Sequence, residues 1–226
     1  MRHNDLSNWQ ACSVPGKNGL DGAYCRLEPL NWSAHGTALF AAICGPGDAG
    51  LWDYLPFGPL HSQEDLMATL DHTHRKLDWR TMVIFDTSVN TVQGMASYMR
   101  LRPEHGSAEV GCIVFSKKLQ RTRAATEAIY LMARHLFDDL GYRRFEWKCN
   151  DKNAASKSAA LRFGFTYEGV FRNDMIVKGR NRDTAWFSMI DREWPAIRTG
   201  FQTWLDPDNF DADGKQRSKL SAHMLR

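Results

Sequence analysis

The sequence lacks the features that would assign it to a membrane, secreted or strongly charged class. Its longest purely apolar run is residues 38–44, whereas a helix that crosses a bilayer needs about 20 apolar residues. Residues 1–20 are polar and lack the apolar core of a secretory signal. The chain has 29 Lys and Arg against 26 Asp and Glu, a net charge of +3. That excess argues against a nucleic-acid binder, which normally has a concentrated basic surface.

Cysteine is scarce and gives no metal site. The five cysteines are odd in number and far apart, and no two have the spacing of metal ligands. We therefore predict reduced thiols, mostly small core residues, in a cytoplasmic protein without a metal. These cysteines are Cys12, Cys25, Cys44, Cys112 and Cys149.

The composition is that of a globular domain. Of the 226 residues, 43% are hydrophobic and 24% are charged, which suits one domain with extended ends. Residues 1–22 are polar and contain a Pro-Gly pair, which predicts an irregular N-terminal extension. Residues 23–195 carry the regular patterns of a domain. Residues 196–226 are predicted to be the end of a helix followed by a loose polar tail.

Apolar periodicity predicts strands and helices in mixed order. Runs rich in β-branched and aromatic residues predict strands over residues 24–30, 81–86, 92–101, 108–115, 144–149, 166–177 and 184–190. Apolar residues at helical spacing predict helices over residues 33–43, 63–77, 123–140, 154–163 and 193–205. This order favours an α+β (mixed α/β) fold around one sheet over a doubly wound parallel sheet.

The glycine-rich segment Gly45–Gly50 fits the dinucleotide-binding pattern G-x-G-x-x-G letter for letter. That pattern needs a preceding strand and a following helix, whose amide groups hold the pyrophosphate. Here a predicted helix precedes the glycines and a proline-rich loop follows them, so we reject a dinucleotide site.

The connection after the strand over residues 108–115 is better suited to phosphate. The loop over residues 116–121 leads directly onto the N-terminus of the helix that starts near Arg123. Unpaired amide groups and the positive end of the helix dipole favour an anion there. Ala124 and Ala125 allow close approach, and Lys117, Lys118, Arg121 and Arg123 add positive charge. An ordinary connection with a solvated basic loop is the alternative.

Two stretches complete a family pattern. The first is A-E-V-G-C-I-V-F at residues 108–115, followed by A-T-E-A at residues 125–128. The second is N-x-x-S at residues 153–156, followed by Gly-Phe at residues 164–165 and E-G-V-F-R at residues 168–172. Together they resemble the GNAT superfamily of acyl-CoA-dependent N-acyltransferases, and most closely its RimJ/RimL-like branch, whose members acetylate the N-terminal amines of ribosomal proteins. The resemblance covers about residues 24–194 and implies one domain with a mostly antiparallel, splayed central sheet flanked by helices.

The resemblance implies a binding site for acyl-CoA. The pyrophosphate loop of the superfamily, Q/R-x-x-G-x-G/A, falls on Gln120–Ala125, where Arg123 replaces the middle glycine. Glycine there permits an unusual backbone conformation, so Arg123 either reaches a phosphate or points outward. Pantetheine would pair with the splayed strand and with Asn153, and Ser156 would lie near the thioester sulfur. The implied acyl-CoA contacts are Cys112, Ile113, Val114, Phe115, Gln120, Arg121, Thr122, Arg123, Ala124, Ala125, Asn153 and Ser156.

Glu109 and Ser156 are the implied catalytic residues. The amine must lose a proton before it attacks the thioester, and a carboxylate can accept that proton through a water. Glu109 lies where family members often carry such a glutamate, although a solvated strand-end carboxylate is the alternative. The tyrosine that many members use as a general acid is replaced by Ala160, which leaves Ser156 or a water. A backbone N–H near Ile113 would hold the oxyanion.

The acceptor would enter from the side of the first two helices. Trp52, Tyr54 and Phe57 could form its pocket and Asp53 could meet an ammonium group, or the segment is a plain packed loop. A protein N-terminus and a small-molecule amine both fit as acceptors.

We therefore predict an acyl-CoA-dependent N-acyltransferase, first of all an N-acetyltransferase, that transfers the acyl group directly to a primary amine. A succinyl donor and a catalytically silent acyl-CoA-binding module stay open as alternatives. An RNA-docking protein is a third, against which the small net charge argues. We expect no membrane or nucleic-acid partner, and a monomer or a homodimer.

Overall fold

One sheet runs through residues 5–224, the part of the chain that the computed structural model describes. Its strands follow the order β1-β2-β3-β4-β5-β6-β8-β7, and neighbouring strands are antiparallel except β5 and β6. The strands are β1 (Leu20–Asp21), β2 (Cys25–Pro29), β3 (Arg80–Asp86), β4 (Thr91–Arg102), β5 (Ser107–Phe115), β6 (Arg144–Asn150), β7 (Thr166–Val177) and β8 (Arg180–Ile190).

The α-helices within residues 5–224 lie between these strands in the sequence and after the last of them. They are α1 (Trp32–Ile43), α2 (Gln63–Leu77), α3 (Arg123–Arg134), α4 (Ala154–Arg162), α5 (Trp194–Leu205) and α6 (Leu220–His223). The predicted α+β fold with one mostly antiparallel sheet is confirmed. No helix within residues 5–224 is long and apolar enough to cross a membrane.

Side-chain caps explain where several helices begin. Asn31, Ser62, Thr122 and Asn153 each accept a hydrogen bond from a backbone amide in the first turn of α1, α2, α3 and α4. Such caps satisfy amides that have no partner inside the helix. The predicted helix over residues 123–140 consists of α3 and a wider, π-helical turn over His135–Asp139.

Helices cover both faces of the sheet. One apolar cluster joins α3 and α5 to the sheet, with Ile129, Phe201 and Phe145 fully buried. The other joins α1 and α2 to the opposite face through Leu39 and Leu66. The central strands are therefore covered on both faces.

The sheet divides between β5 and β6. The two strands pair in parallel over Ser107–Val110 and Arg144–Trp147 only, which we call the parallel seam. Beyond it, β5 continues beside β4 to Phe115, while β6 continues beside β8 to Asn150. Cys112 has a φ of +47° at an irregularity in the β4–β5 register, and this conformation accompanies the divergence. The diverging strands leave a wedge-shaped gap.

The C-terminal segment, Asp206–Met224, packs against the domain. Phe210 and Leu220 are buried, and Asn209 donates a hydrogen bond to the Trp204 carbonyl at 3.0 Å. The expectation of a loose tail is therefore wrong, because a few widely spaced apolar side chains anchor an otherwise polar segment. At the other end, residues 5–19 contain no helix or strand, whereas β1 (Leu20–Asp21) lies inside the stretch that was predicted to be irregular up to residue 22.

Candidate active site

A cleft of about 1360 Å³ opens between the diverging ends of β5 and β6. Ile113, Val114 and Phe115 of β5 form one wall, and Trp147 of β6 lies on the other side. The parallel seam ends before Gly111, so β6 offers no partner to the β5 backbone that faces the gap. Exposed strand backbone of this kind can pair with an extended, amide-containing ligand.

The N-terminus of α3 forms the next part of the cleft. Thr122 caps the helix, and its Oγ1 accepts a hydrogen bond from the Ala125 amide at 3.1 Å. Within the described chain, the amides of Arg121, Arg123 and Ala124 have no hydrogen-bond partner. Free amides at the positive end of a helix dipole form a seat for phosphate.

Positive charge dominates the cleft. Arg121, Arg123, Arg162 and Lys215 line it, and none of the described lining residues is Asp or Glu. Arg121 has a φ of +64°, which turns the chain sharply just before the helix. The cleft therefore suits a ligand with several negative charges.

The Arg123 side chain packs between two aromatic rings at the margin of the cleft. Its guanidinium lies between the rings of Tyr24 and Phe210, 4.8 and 4.3 Å from their centroids. Arg123 and Phe210 both line the cleft, so a contact of this guanidinium with a phosphate stays a prediction. Arg123 joins α3 to the C-terminal segment and leaves its own amide facing the cleft.

Asn153 and Ser156 lie together at the start of α4, and both line the cleft. Asn153 caps the helix by accepting a hydrogen bond from the Ser156 amide at 3.0 Å, so its amide NH₂ group has no partner among the described residues. Ser156 Oγ accepts a hydrogen bond from Trp147 Nε1 at 2.9 Å, which leaves the hydroxyl proton available to the cleft. Ala160 is fully buried one turn further on.

Glu109 lies in a different environment from the one predicted. Its side chain is 3% exposed and does not line the cleft. Arg100 Nη1 donates hydrogen bonds to both of its oxygens, at 2.8 and 2.6 Å, and Lys148 Nζ lies 3.0 Å from Oε2. The alternative of a solvated carboxylate is wrong, because the strand-end position is covered. The role of Glu109 as a base stays a prediction.

Glu109 belongs to an ion-pair cluster of Arg100, Arg102, Glu109, Arg144, Glu146 and Lys148. Lys148 pairs with Glu146 at 2.7 Å as well as with Glu109, and its ammonium lies 3.8 Å from the centroid of the Trp186 ring. Burial opposes the charge of Glu146, but the contacts with Lys148 and Arg144 outweigh it and lower the pKa of Glu146 to about 2. The cluster therefore ties the strands together at the parallel seam.

Comparison with known proteins assigns this arrangement to a family. Residues 26–166, more than half of the chain, match the family described as an acetyltransferase (GNAT) domain. The chain belongs to the GNAT acetyltransferase family. A curated relative in Bacillus subtilis (strain 168), named "Putative ribosomal N-acetyltransferase YdaF", is 28% identical over 101 residues, 45% of this chain and 55% of that protein. The chain thus spans about half the length of this relative.

Solved structures resemble the whole GNAT fold. A GCN5-related N-acetyltransferase from Brucella melitensis is 41% identical with a TM-score of 0.92, covering 97% of this chain and 99% of that one. A "probable" GNAT-family acetyltransferase from Chromobacterium violaceum ATCC 12472 is 40% identical with a TM-score of 0.79, covering 84% and 95%. The Salmonella typhimurium acetyl transferase that modifies the N-terminal serine of 50S ribosomal subunit protein L7/L12 shares the fold at 20% identity, with a TM-score of 0.64 over 76% and 98%. The predicted resemblance to the GNAT superfamily is confirmed, and the RimJ/RimL-like branch stays a prediction.

Most of the residues predicted to bind acyl-CoA line the cleft of this GNAT domain. The exceptions are Cys112 and Ala124, whose side chains are buried elsewhere. Cys112 belongs to the cluster under α1 and α2, and burial raises the pKa of its thiol to about 12. Either residue can still offer its backbone to a ligand.

The four residues predicted to contact the acceptor lie in different environments in the structure. Tyr54 lines the cleft, and its hydroxyl donates a hydrogen bond across it to the Lys152 carbonyl at 3.4 Å. Trp52 is 1% exposed and donates to the Ile43 carbonyl, so it serves the core instead of a pocket. Phe57 packs beside Trp52, with 6.0 Å between the ring centroids. Asp53 is exposed and lies outside the cleft. Acceptor binding by this loop stays a prediction that Tyr54 alone supports by position.

Sequence reasoning missed the far wall of the cleft. Arg162 at the end of α4, Trp204 at the end of α5, and Phe210 with Gly214–Gln216 of the C-terminal segment all line it. These residues lie apart in sequence, and Trp204 and the C-terminal residues lie beyond residues 26–166 that match the family. The available signal was the pair of aromatic residues, Trp204 and Phe210, in a region otherwise polar.

Proposed function

We propose that the protein transfers an acetyl group from acetyl-CoA to a primary amine. The observation that carries this proposal is the cleft itself, where free amides at the α3 N-terminus lie beside Arg121, Arg162 and Lys215 and no described carboxylate lines the walls. Coenzyme A presents a pyrophosphate and a 3′-phosphate at one end of a long, amide-containing arm. The charge of the cleft fits that phosphate-rich end, and the free edge of β5 fits the arm.

The residues at the inner end of the gap supply the chemistry in this proposal. The backbone N–H near Ile113 holds the oxyanion that forms when the amine attacks the thioester carbonyl. Ser156 lies beside the gap, and its hydroxyl passes its proton to the departing thiolate while it takes a proton from the nitrogen of the tetrahedral intermediate. Glu109 accepts the proton of the amine through a water, at the other side of the diverging strands.

We propose a protein N-terminus as the first acceptor to test and a small-molecule amine as the second. The name of the Bacillus subtilis relative supports a ribosomal protein substrate. The five cysteines are all free thiols, which suits the reducing cytoplasm.

A catalytically silent acyl-CoA-binding module is the second candidate. The ion pairs that occupy both oxygens of Glu109, together with Ala160 in place of a tyrosine acid, favour it. The two candidates share CoA binding and differ in turnover. The test offers acetyl-CoA or succinyl-CoA with a panel of peptide N-termini and small amines, and it measures the release of free CoA thiol. Release with any amine supports the enzyme. No release across the panel supports the binding module.

The CoA site is tested by charge reversal on the loop before α3. Arg121 and Lys118 are both exposed, but only Arg121 lines the cleft. Arg121→Glu is expected to weaken CoA binding by about tenfold or more, while the matched control Lys118→Glu stays within about twofold of wild type. Isothermal titration of CoA measures both. Equal affinities for the two variants would place the phosphates elsewhere.

A further inference from the structure

The cleft continues beyond the N-terminus of α3 into a chamber that the strands do not form. Its walls are α4, from Ala155 to Arg162, and the C-terminal residues Trp204, Phe210 and Gly214–Gln216. If the arm of CoA occupies the β5–β6 gap and its pyrophosphate the α3 N-terminus, the rest of the molecule has to enter this chamber. That remainder is the adenosine and its 3′-phosphate.

The C-terminal wall of the chamber is held in place by specific contacts. Trp204 Nε1 donates a hydrogen bond to Gln216 Oε1 at 2.9 Å, and the rings of Trp204 and Phe210 lie 5.1 Å apart, edge to face. Phe210 also packs on the Arg123 guanidinium. Gly214 lies near the same guanidinium, since a Cβ there would be 4.0 Å from its Nη2. The wall is therefore anchored to the phosphate loop.

Arg162 is a positive charge without a negative partner. Its Nη1 donates to Thr126 Oγ1 at 3.1 Å, and its guanidinium lies 5.0 Å from the Trp204 ring and 5.3 Å from the Phe163 ring. Within residues 5–224, no carboxylate comes within 4.0 Å of it. Burial lowers the pKa of this guanidinium, and no nearby acid offsets that effect. A bound anion would supply the missing charge.

We propose that Arg162, framed by the C-terminal segment, binds the 3′-phosphate of CoA and makes the protein select CoA over dephospho-CoA. This inference rests on the proposed acyl-CoA site. Lys215 lines the same chamber from the C-terminal segment and adds a second, exposed positive charge. The segment outside the family match thus acts as a specificity element for the nucleotide end of the donor.

Titration calorimetry of the full chain with CoA and with dephospho-CoA tests the proposal without any variant. Wild type is expected to bind CoA about tenfold or more tightly than dephospho-CoA, because only CoA offers the phosphate to the guanidinium. Arg162→Gln is expected to remove most of that ratio by weakening CoA binding and leaving dephospho-CoA binding unchanged. Lys215→Gln, at an exposed position, is expected to reduce the ratio without disturbing the core.

Arg134→Gln is the matched control, because Arg134 also packs on an aromatic ring, Tyr130, but lies outside the cleft. It should leave the ratio unchanged. Equal binding of the two ligands by wild type would overturn the 3′-phosphate site while leaving the proposed function intact. An equal loss for both ligands in Arg162→Gln would also overturn it and assign Arg162 to the pyrophosphate. Failure of wild type to bind either ligand would overturn the proposed function together with this inference.

Discussion

Glu109 is the residue whose surroundings most restrict the proposed chemistry. Arg100 and Lys148 contact its carboxylate from two strands, and the side chain is 3% exposed. A carboxylate that is buried in this way and lies outside the cleft can take a proton from the amine only if a water reaches it. Proton transfer by Glu109 therefore requires that a water enter the ion-pair cluster when the acceptor binds.

Replacing Glu109 by glutamine tests its role as the base. Glutamine keeps the size but cannot take a proton, so kcat is expected to fall by about 10²–10⁴-fold, less at high pH where more of the amine is already neutral. The affinity for acetyl-CoA should stay at the wild-type value. A pH–rate profile with one confirmed substrate makes the measurement.

Glu146→Gln is the matched control, because Glu146 is equally buried, lies opposite Glu109 across the parallel seam and shares Lys148 with it. If both variants lose the same activity at every pH, the cluster supports the structure and the base is elsewhere.

Asn153 has two functions that different substitutions separate. Asn153→Ala removes the cap of α4 and is expected to cost about 1 kcal/mol of unfolding free energy, whereas Asn153→Asp keeps the acceptor for the Ser156 amide. Both remove the NH₂ donor, so both should raise the KM for acetyl-CoA by about threefold to tenfold. Urea unfolding and steady-state kinetics measure the two effects. A normal KM for Asn153→Asp would leave the residue as a helix cap alone.

The motif residues of the site were predictable because their signals are local. Ile113, Gln120 and Asn153 each lie in a short stretch with a distinctive order, and each lines the cleft. Arg162 was not predictable, because its importance depends on what it lacks. No local pattern shows that a guanidinium has no carboxylate beside it and rests on Trp204, which lies far away in sequence.

At the scale of the elements, the strand and helix bounds were largely predictable. The helix α2 agrees at both ends, because a cap and one apolar face define it. The packing of the C-terminal segment was not predictable, because it depends on single buried side chains such as Phe210 and on hydrogen bonds made by Asn209. The ion-pair cluster was also hidden, since it joins side chains of β4, β5 and β6 that meet only in the sheet.

The cluster makes strand pairing sensitive to acid. The pKa of Glu146 in the folded state, about 2, lies below its value in the unfolded chain. Its stabilising effect is therefore complete above about pH 5 and is lost as the pH falls towards 2. Glu146→Gln should be less stable at pH 7 and should lose less unfolding free energy between pH 7 and pH 3 than wild type. Urea unfolding at several pH values measures this.

Glu104→Gln is the control for the acid prediction, because the Glu104 side chain is 61% exposed and lies outside the cluster. Its unfolding free energy should change with pH as that of wild type does. If the unfolding free energy of the Glu146→Gln protein falls with pH as steeply as that of wild type, other carboxylates cause the acid sensitivity.

At the scale of the whole molecule, the parallel seam joins two sets of antiparallel strands. The strands β1 to β5 pair with their neighbours in sequence, and β6, β7 and β8 form a second set. Among the residues that the structure describes, only Ser107–Val110 and Arg144–Trp147 connect the two sets through strand pairing. The cleft opens where this pairing stops.

Amide hydrogen exchange should therefore resolve two cooperative units in the free protein, one containing β2 to β5 and one containing β6 to β8. Saturating CoA is expected to slow exchange on both sides of the junction, most of all at Gly111–Phe115, and to leave β3 little changed. One uniform opening free energy across all strands of the free protein would contradict this. In the proposed function, the donor bridges the same line along which the sheet separates, and that function therefore couples donor occupancy to the cooperativity of unfolding.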